Sequence, residues 1–318
     1  LAFLAANLGS GVGDDSGTPG TSREKRRAYV EEAPRMIDFL VEQGVKLERA
    51  SAFWPDYYDE LPGGCKSSRC VVAQLFDTNE LGPWREKLRP GFMPVPARLE
   101  EGRMLPYYKQ SWEGRWTFFK VALRTVLAKL TRRRIVSAGA ALQGRMLQAS
   151  LAAGVDIRLE SPVSELLVED GKVVGVVTLD SGKPRRIAAR LGVLVNAGGF
   201  SRNQAMRERY QPGTRVEWSQ TAESDTGDMH IEMERIGGVL AQMGEMVGYQ
   251  CTTAPGWEQQ DPMPGAQSVT GKPHAILVDQ SGVRYMNEGG SYELYCENML
   301  TRHRSVPAIP SSSATATS

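Results

Sequence analysis

The residues best placed for chemistry are two glycines that follow an apolar run. Residues 192–196 read Gly-Val-Leu-Val-Asn, which is typical of a strand buried on both faces of a parallel sheet, and Ala197, Gly198 and Gly199 follow directly. Because glycine has no Cβ, the backbone of this turn can approach a bound molecule closely. Ligands of α/β proteins lie at the carboxyl ends of such strands. The segment predicts a nucleotide site, and packing of the turn alone explains the same glycines equally well.

A second polar segment, residues 225–228, reads Asp-Thr-Gly-Asp and precedes a helix expected from Gly227 to Gly237. The N–H groups at a helix start can hold an anionic group, and Asp228 can equally serve as the helix cap. Residues 9–13 are also rich in glycine, but their G-x-G-x-G spacing and the lack of a following helix differ from the dinucleotide-binding fingerprint. We interpret them as a loop.

The elements that must position these segments follow from hydrophobic period and turn signals. Residues 51–114 are rich in proline, glycine and aromatics and predict irregular structure. The basic run Arg132–Arg134 predicts a solvated end that complements a helix dipole. Helices are expected within 24–49 with Gly44 as the C-cap, and over 116–130, 138–153 and 203–209, whereas strands are expected over 155–159, 164–169, 172–179, 187–190 and 192–196, with a turn at Gly171.

The composition predicts a protein that belongs to neither the nucleic-acid-binding nor the membrane-spanning class. Of 318 residues, 38 are Lys or Arg and 37 are Asp or Glu, so no strong field favours a nucleic-acid partner. No apolar run is long enough for a membrane span, and the short apolar start lacks the basic leader of a signal peptide. The four cysteines and three histidines have no metal-ligand spacing, so we expect thiols, no metal site and a cytoplasmic location. The initial Leu1 and the low-complexity tail at 311–318 predict a fragment.

Several motifs occur in an order that resembles a known family. Residues 56–64 read Asp-Tyr-Tyr-Asp-Glu-Leu-Pro-Gly-Gly, residues 197–203 read Ala-Gly-Gly-Phe-Ser-Arg-Asn, and residues 287–292 read Asn-Glu-Gly-Gly-Ser-Tyr. Together they resemble the flavoprotein subunits of fumarate reductase and succinate dehydrogenase, and within that family the 3-ketosteroid Δ1-dehydrogenases. The resemblance covers roughly residues 20–307. Asp59 departs from it, since the family has proline at that position.

The resemblance implies an α/β fold. An FAD-binding domain built on a parallel sheet with an inserted meander would occupy residues 1–252, and the start of an α+β substrate (cap) domain would occupy residues 253–318. FAD would be the cofactor. Its adenine would meet the backbone of Val163, its adenosine side would meet Ala197, Gly198 and Gly199, and its ribityl and flavin end would lie near Thr226, Gly227 and Asp228.

Two tyrosines are implied as catalytic, Tyr57 and Tyr292. In the resembling dehydrogenases the tyrosine at the position of Tyr292 takes a proton from C2 of a 3-ketosteroid while the flavin accepts a hydride from C1. A tyrosine has a pKa of about 10 and needs its phenolate stabilised to act as a base. A hydrogen bond from Tyr57 would provide that. The implied partners are a 3-ketosteroid and an external electron acceptor.

Two alternatives to the dehydrogenase remain. A fumarate- or enoate-reductase-like enzyme would run the hydride transfer in reverse and use an arginine for the proton, so the tyrosine pair favours the dehydrogenase. A non-catalytic fragment would keep its fold without binding FAD, because the glycine-rich flavin segments at the two ends of the family pattern do not occur in this chain.

Overall fold

A computed structural model provides the structure of the chain. The described residues fall into two compact units, residues 22–158 and residues 159–305. The domain boundary predicted between residues 252 and 253 lies outside the described residues and stays a prediction. The structure describes residues 22–50, 56, 62–66, 69–89, 95–246, 248, 276–279, 281–288 and 292–305.

The first unit combines helices with short antiparallel strands. Strand β1 pairs with β2, and β3 pairs with β4. The bounds in chain order are α1 Arg23–Glu42, β1 Leu47–Arg49, β2 Val71–Ala73, β3 Phe76–Asp77, a 3₁₀ segment Thr78–Lys87, α2 Leu99–Met104, a 3₁₀ turn Leu105–Tyr107, α3 Trp112–Leu130, β4 Ile135–Val136 and α4 Ala138–Ala152.

The helix ends follow from their capping residues. Ser22 accepts a hydrogen bond from the Lys25 N–H at the start of α1, and Ser111 accepts one from the Gly114 N–H at the start of α3. Gly44 has a φ of +87° and ends the first helix, as its sequence position predicts. The predictions of α1, α3 and α4 are confirmed, although α3 begins four residues before the predicted start because Ser111 caps it.

The core of the first unit is built around Phe76. Its ring is 1% exposed and packs with Leu81 and Ala141. Gly144 of α4 lies directly beneath that ring, so close that a Cβ at this position would come within 2.6 Å of the Phe76 ring carbons. The glycine is therefore required by packing, because any side chain here would displace Phe76.

The Arg145 side chain also packs against the Phe76 ring. Its guanidinium lies 5.2 Å from the centre of the Phe76 ring and donates hydrogen bonds to the carbonyls of Gln74 and Leu75. Burial lowers the pKa of Arg145. The cation thus ties α4 to the chain just before β3.

In its described residues, the second unit contains an antiparallel meander, β5-β6-β7, followed by three helices and a 3₁₀ turn. The bounds are β5 Val163–Glu169, β6 Lys172–Asp180, β7 Lys183–Ala188, α5 Gln204–Tyr210, the 3₁₀ turn Val216–Trp218, α6 Asp228–Arg235 and α7 Tyr292–Ser305. The predicted helices at 203–209 and 227–237 are confirmed as α5 and α6.

Two tight turns shape the meander. Asp170 and Gly171 have φ values of +48° and +74°, the left-handed pair that a two-residue hairpin turn requires. Ser181 and Gly182 repeat the pattern with +52° and +79°. The first turn is the one that the sequence predicts. The sequence prediction missed the second turn, although the Ser-Gly dipeptide signals it. The strand was therefore predicted to begin at residue 187, whereas β7 begins at Lys183.

Two strand predictions are wrong for the described structure. Residues 155–159 form no strand, and residues 192–196 form no strand and pair with no described neighbour. Leu194 is 94% exposed, although the apolar run predicts burial on both faces. A strand is buried by its neighbours in a sheet, and the described residues place none beside this segment. All strand pairs in the described part of the chain are antiparallel.

Among the residues that the structure describes, no helix is both long enough and apolar enough to cross a membrane.

The packing of Gly144 against Phe76 gives a test of the first unit. Alanine normally stabilises a helix interior by up to about 1 kcal/mol relative to glycine. We expect Gly144→Ala to lower the free energy of unfolding by about 1–3 kcal/mol instead, because the added methyl group overpacks the core. Urea unfolding followed by circular dichroism measures the change.

Gly139→Ala is the matched control, since it lies in the same helix and a Cβ there meets no atom within 4 Å. It should leave stability unchanged or raise it by up to about 1 kcal/mol. Equal effects of the two substitutions would contradict the packing around Phe76.

Candidate functional site

The two segments that the sequence singles out lie against each other in the second unit. The N–H of Gly227 donates to the carbonyl of Gly199 at 3.1 Å, and the N–H of Arg202 donates to the carbonyl of Asp225 at 2.9 Å. These bonds join the turn after residue 196 to the start of α6. The turn and the helix start thus form one continuous backbone surface.

The turn leaves its backbone accessible on one side. Gly198 has a φ of +76°, and a Cβ there would come within 2.3 Å of the Asp225 carboxylate. At Gly199 a Cβ would meet no atom within 4 Å, so the space beside this residue is open. Ala197 and Gly198 are exposed. The turn therefore fits a group such as FAD that is held through main-chain contacts at close range.

The start of α6 is shaped by Gly227 and not by a capping side chain. Gly227 is the N-cap with a left-handed φ of +75°, and it is buried against Phe200 and Met206. Asp228 is the first helical residue, is exposed and does not cap the helix, so the capping interpretation of Asp228 is wrong. Its carboxylate lies where the helix dipole favours negative charge.

Asn203 fixes the distance between α5 and the start of α6. Its side-chain oxygen accepts from the Met206 N–H at 3.1 Å and caps α5, while its amide donates to the Thr226 carbonyl at 2.8 Å. The sequence placed Asn203 at a helix start but gave no sign of the second bond. That bond holds Thr226 beside the turn at Gly199.

Arg207 holds the loop that follows α5. Its buried guanidinium donates to the hydroxyls of Thr214 and Ser219, at 2.9 and 2.6 Å, and to the Ser201 carbonyl at 3.1 Å. Burial lowers the pKa of Arg207. Sequence reasoning missed this arginine, because spacing along the chain does not reveal its partners.

Val163, the residue expected to meet the adenine, begins β5 and pairs with Thr178. Strand β5 is tied to α6 three residues further on. The Glu232 carboxylate accepts the Leu166 N–H, and Arg235 donates to the Leu166 carbonyl at 3.1 Å. The hydrogen bond from Arg235 lowers the pKa of Glu232. Glu232 is a positioning residue that sequence reasoning missed.

The structure describes neither predicted catalytic tyrosine in full. Tyr57 lies outside the described residues, and the structure describes only the backbone of Tyr292, the first residue of α7. Asp56, the residue before Tyr57, accepts the Cys65 N–H at 2.8 Å and pairs with Arg69. The hydrogen bond from Arg69 lowers the pKa of Asp56. The catalytic pairing of Tyr57 with Tyr292 stays a prediction.

The segment just before Tyr292 is held by buried carboxylates. Glu288 accepts the Leu277 N–H at 2.7 Å and pairs with Arg284. Asp279 accepts a hydrogen bond at 2.7 Å from Arg302, which lies on α7. These contacts hold residues 277–279 against residues 284–288 and against α7, the helix that begins at Tyr292.

Glu288 gives this segment a pH dependence. The hydrogen bond from Arg284 lowers the pKa of Glu288 to about 2. Because the folded pKa lies below the ordinary value of 4.5, the stabilisation is complete above that value and is lost as the pH falls toward 2. We expect the hydrogen-exchange protection of the Leu277 amide to fall across this window.

Glu288→Gln should remove the pH dependence and leave protection low at both ends of the window, whereas Glu169→Gln, at an exposed position of β5, should change neither. Hydrogen exchange measured by mass spectrometry on the peptide that contains Leu277 provides the readout. Protection that is unchanged between pH 5 and pH 2.5 in the original chain would contradict the role of Glu288.

Several known dehydrogenases are similar to this chain. A 3-oxosteroid 1-dehydrogenase of Mycolicibacterium smegmatis is 32% identical over 292 residues, which cover 87% of this chain and 49% of that protein. A 4-oxocyclohex-2-ene-1-carboxylate 5-dehydrogenase of Sinomonas cyclohexanicum is 29% identical over 306 residues, with coverage of 86% and 49%. The chain spans about half the length of these curated relatives.

A solved structure is similar as well. The 3-ketosteroid delta1-dehydrogenase of Sterolibacterium denitrificans, in complex with 1,4-androstadiene-3,17-dione, matches with a TM-score of 0.78 and 27% identity, over 87% of this chain and 52% of that one. The sequence profile of the FAD binding domain matches residues 15–317, nearly the whole chain. Together with the open turn at Gly199, this match establishes that the chain belongs to the FAD binding domain family.

Proposed function

We propose that this chain contributes the flavin-holding part of an FAD-dependent oxidoreductase that desaturates the A ring of a 3-ketosteroid between C1 and C2. The observation that carries the proposal is the open turn at Gly199, hydrogen-bonded to the start of α6. An external electron acceptor and a cytoplasmic location belong to the same proposal.

The substrate class is supported by the names of the relatives. Both curated relatives are dehydrogenases whose substrates carry a ketone on a ring. A ketone acidifies the neighbouring C–H bonds, so a base and a hydride acceptor on the two carbons can form the double bond together. A steroid is the more specific assignment, because the similar solved structure holds a steroid dienone.

We assign the cofactor contacts by position. Ala197, Gly198 and Gly199 would line the adenosine side through their main chain, and the backbone of Val163 would meet the adenine. At the start of α6 the accessible groups are Thr226 and Asp228, since Gly227 is covered by Phe200 and Met206. We therefore propose that Thr226 and Asp228 make the contacts at the flavin end, with Gly227 providing the helix start between them.

The proposed reaction divides between the cofactor and two tyrosines. FAD, when bound, accepts a hydride. Tyr292 would take the proton from the carbon next to the ketone, and Tyr57 would donate a hydrogen bond that lowers the cost of forming the phenolate. Asp56, held by Arg69, would fix the loop that carries Tyr57, and the contact of Arg302 with Asp279 would fix the helix that begins at Tyr292.

Purification of the chain in the presence of FAD tests the proposal. We expect a flavin absorbance band that survives gel filtration, and conversion of 4-androstene-3,17-dione to the 1,4-diene when an artificial electron acceptor is supplied. Product analysis by mass spectrometry shows a loss of two hydrogens. A colourless protein would contradict the proposal, and reduction of an enoate without any oxidation of the steroid would favour the reductase.

Tyr292→Phe tests the role of the tyrosine within that assay. The variant should keep its flavin and lose steroid turnover by about a hundredfold or more, because general acid–base groups contribute at least that much. Tyr295→Phe, three residues along the same helix, is the matched control and should retain turnover. Unchanged turnover in Tyr292→Phe would contradict its role as the base.

A further inference from the structure

Helix α3 presents its apolar face to solvent. The side that packs on the first unit carries small or short residues, namely Gly114, Thr117, Val121 and Ala128. The opposite side carries six large apolar residues at helical spacing, Trp112, Trp116, Phe119, Leu123, Leu127 and Leu130. Their exposure ranges from 47% at Leu123 to 75% at Trp112 and Leu130. We call these six residues the apolar stripe.

The apolar stripe reverses the usual arrangement of a surface helix, in which the apolar side faces the core. It runs along the whole of α3, a helix about 28 Å long. Single exposed apolar residues are ordinary on a protein surface, but a continuous apolar patch of this length marks an interaction site. The partner must therefore accept a long apolar surface.

The helix is held in place by contacts on its other side. Arg124 donates to the Pro96 carbonyl at 2.7 Å and pairs with Glu101 of α2. Desolvation raises the pKa of Glu101, but the hydrogen bonds from Arg124 and the Arg98 N–H, together with the charges of Arg124 and Lys120, outweigh it and the net pKa is lowered. The apolar stripe is thus presented by a helix that is already folded and anchored.

The charges around α3 indicate which partner the stripe takes. Between Lys109 and Arg134 the chain has eight Lys or Arg residues and a single acidic residue, Glu113, whereas the net charge of the whole chain is only +1. Arg115 and Lys129 flank the stripe on one side and Lys120 on the other, all exposed. Exposed arginines 132–134 follow the helix.

This combination fits an anionic lipid surface. Helices that lie in a membrane interface carry Trp, Phe and Leu on one face and Lys or Arg beside them. A second copy of this chain would instead bring a surface of the same positive charge against the stripe, which repels. Charge complementarity therefore favours lipid headgroups.

We propose that α3 docks the protein on an anionic membrane surface. The apolar stripe lies in the plane of the membrane at the boundary of headgroups and acyl chains, and the flanking cations contact the headgroup phosphates. The docking does not depend on the proposed function. If that function holds as well, the surface places the enzyme where a lipid-soluble steroid is dissolved.

Vesicle binding by the purified chain tests the docking. We expect co-sedimentation with vesicles of phosphatidylcholine and phosphatidylglycerol, much weaker binding to pure phosphatidylcholine, and a blue shift of tryptophan fluorescence as Trp112 and Trp116 enter the interface. Each cation near an anionic surface raises partitioning by about fivefold. Replacing Arg132, Arg133 and Arg134 by Gln should therefore weaken binding by about a hundredfold.

Two matched controls distinguish binding through the apolar stripe from non-specific binding to vesicles. The double variant Trp116→Ser with Phe119→Ser should lower partitioning by about tenfold or more, whereas Met36→Ser with Phe39→Ser, at exposed positions of α1, should not. Replacing Lys183, Arg185 and Arg186 of β7 by Gln removes the same charge elsewhere and should have little effect. Circular dichroism checks that each variant is folded.

Three results would overturn the proposal. One is the absence of binding to either kind of vesicle. Another is an equal loss of binding in the control variants and in the α3 variants. The third is a concentration-dependent dimer that Trp116→Ser with Phe119→Ser abolishes, without lipid binding, which would assign the stripe to a second copy of the chain.

Discussion

A single backbone hydrogen bond, from the Gly227 N–H to the Gly199 carbonyl, organises the candidate site. The two glycines come from segments that are separated by a helix and a long loop, and the bond can form only because the residues around it accept unusual geometry. Gly198 and Gly227 both have left-handed φ values, and side chains there would strike Asp225 or Met206. Apart from Val163, which lies on β5, every residue that we assign to the cofactor lies on the surface that this bond creates.

The residues that maintain this bond are polar, and each is satisfied by more than one partner. Asn203 links α5 to Thr226, Arg207 links α5 to the loop at Thr214, and Glu232 links α6 to β5. Buried polar groups of this kind are costly when one partner is removed, so they fix one arrangement of the elements. The supports of the site are directional hydrogen bonds, which fix the positions of the elements around it. Phe200 adds an apolar contact, because its ring packs on the ring of Tyr210.

The sequence predicts local features well and long-range contacts poorly. Helices α3 to α6 and the turn at Gly171 follow from period and capping, which depend on neighbouring residues. The strand expected at 192–196 is wrong in the described structure, because burial of a strand depends on neighbours that local sequence does not reveal. For the same reason spacing could suggest Gly199 and Asp228 as site residues but not their supports, Asn203 and Glu232. Residue type likewise predicted that arginines 132–134 are solvated, but not that they border an exposed apolar face.

The proposed cofactor site requires that the Gly199 turn hold FAD through its backbone. Fluorescence titration of FAD with the original chain and with Gly199→Ala measures this most directly, because the added methyl group meets no protein atom within 4 Å and should leave stability unchanged. We expect the original chain to bind FAD and the variant to bind it about tenfold or more weakly, a loss of about 1.4 kcal/mol or more. Equal FAD affinity of the two proteins, at equal stability, would contradict it.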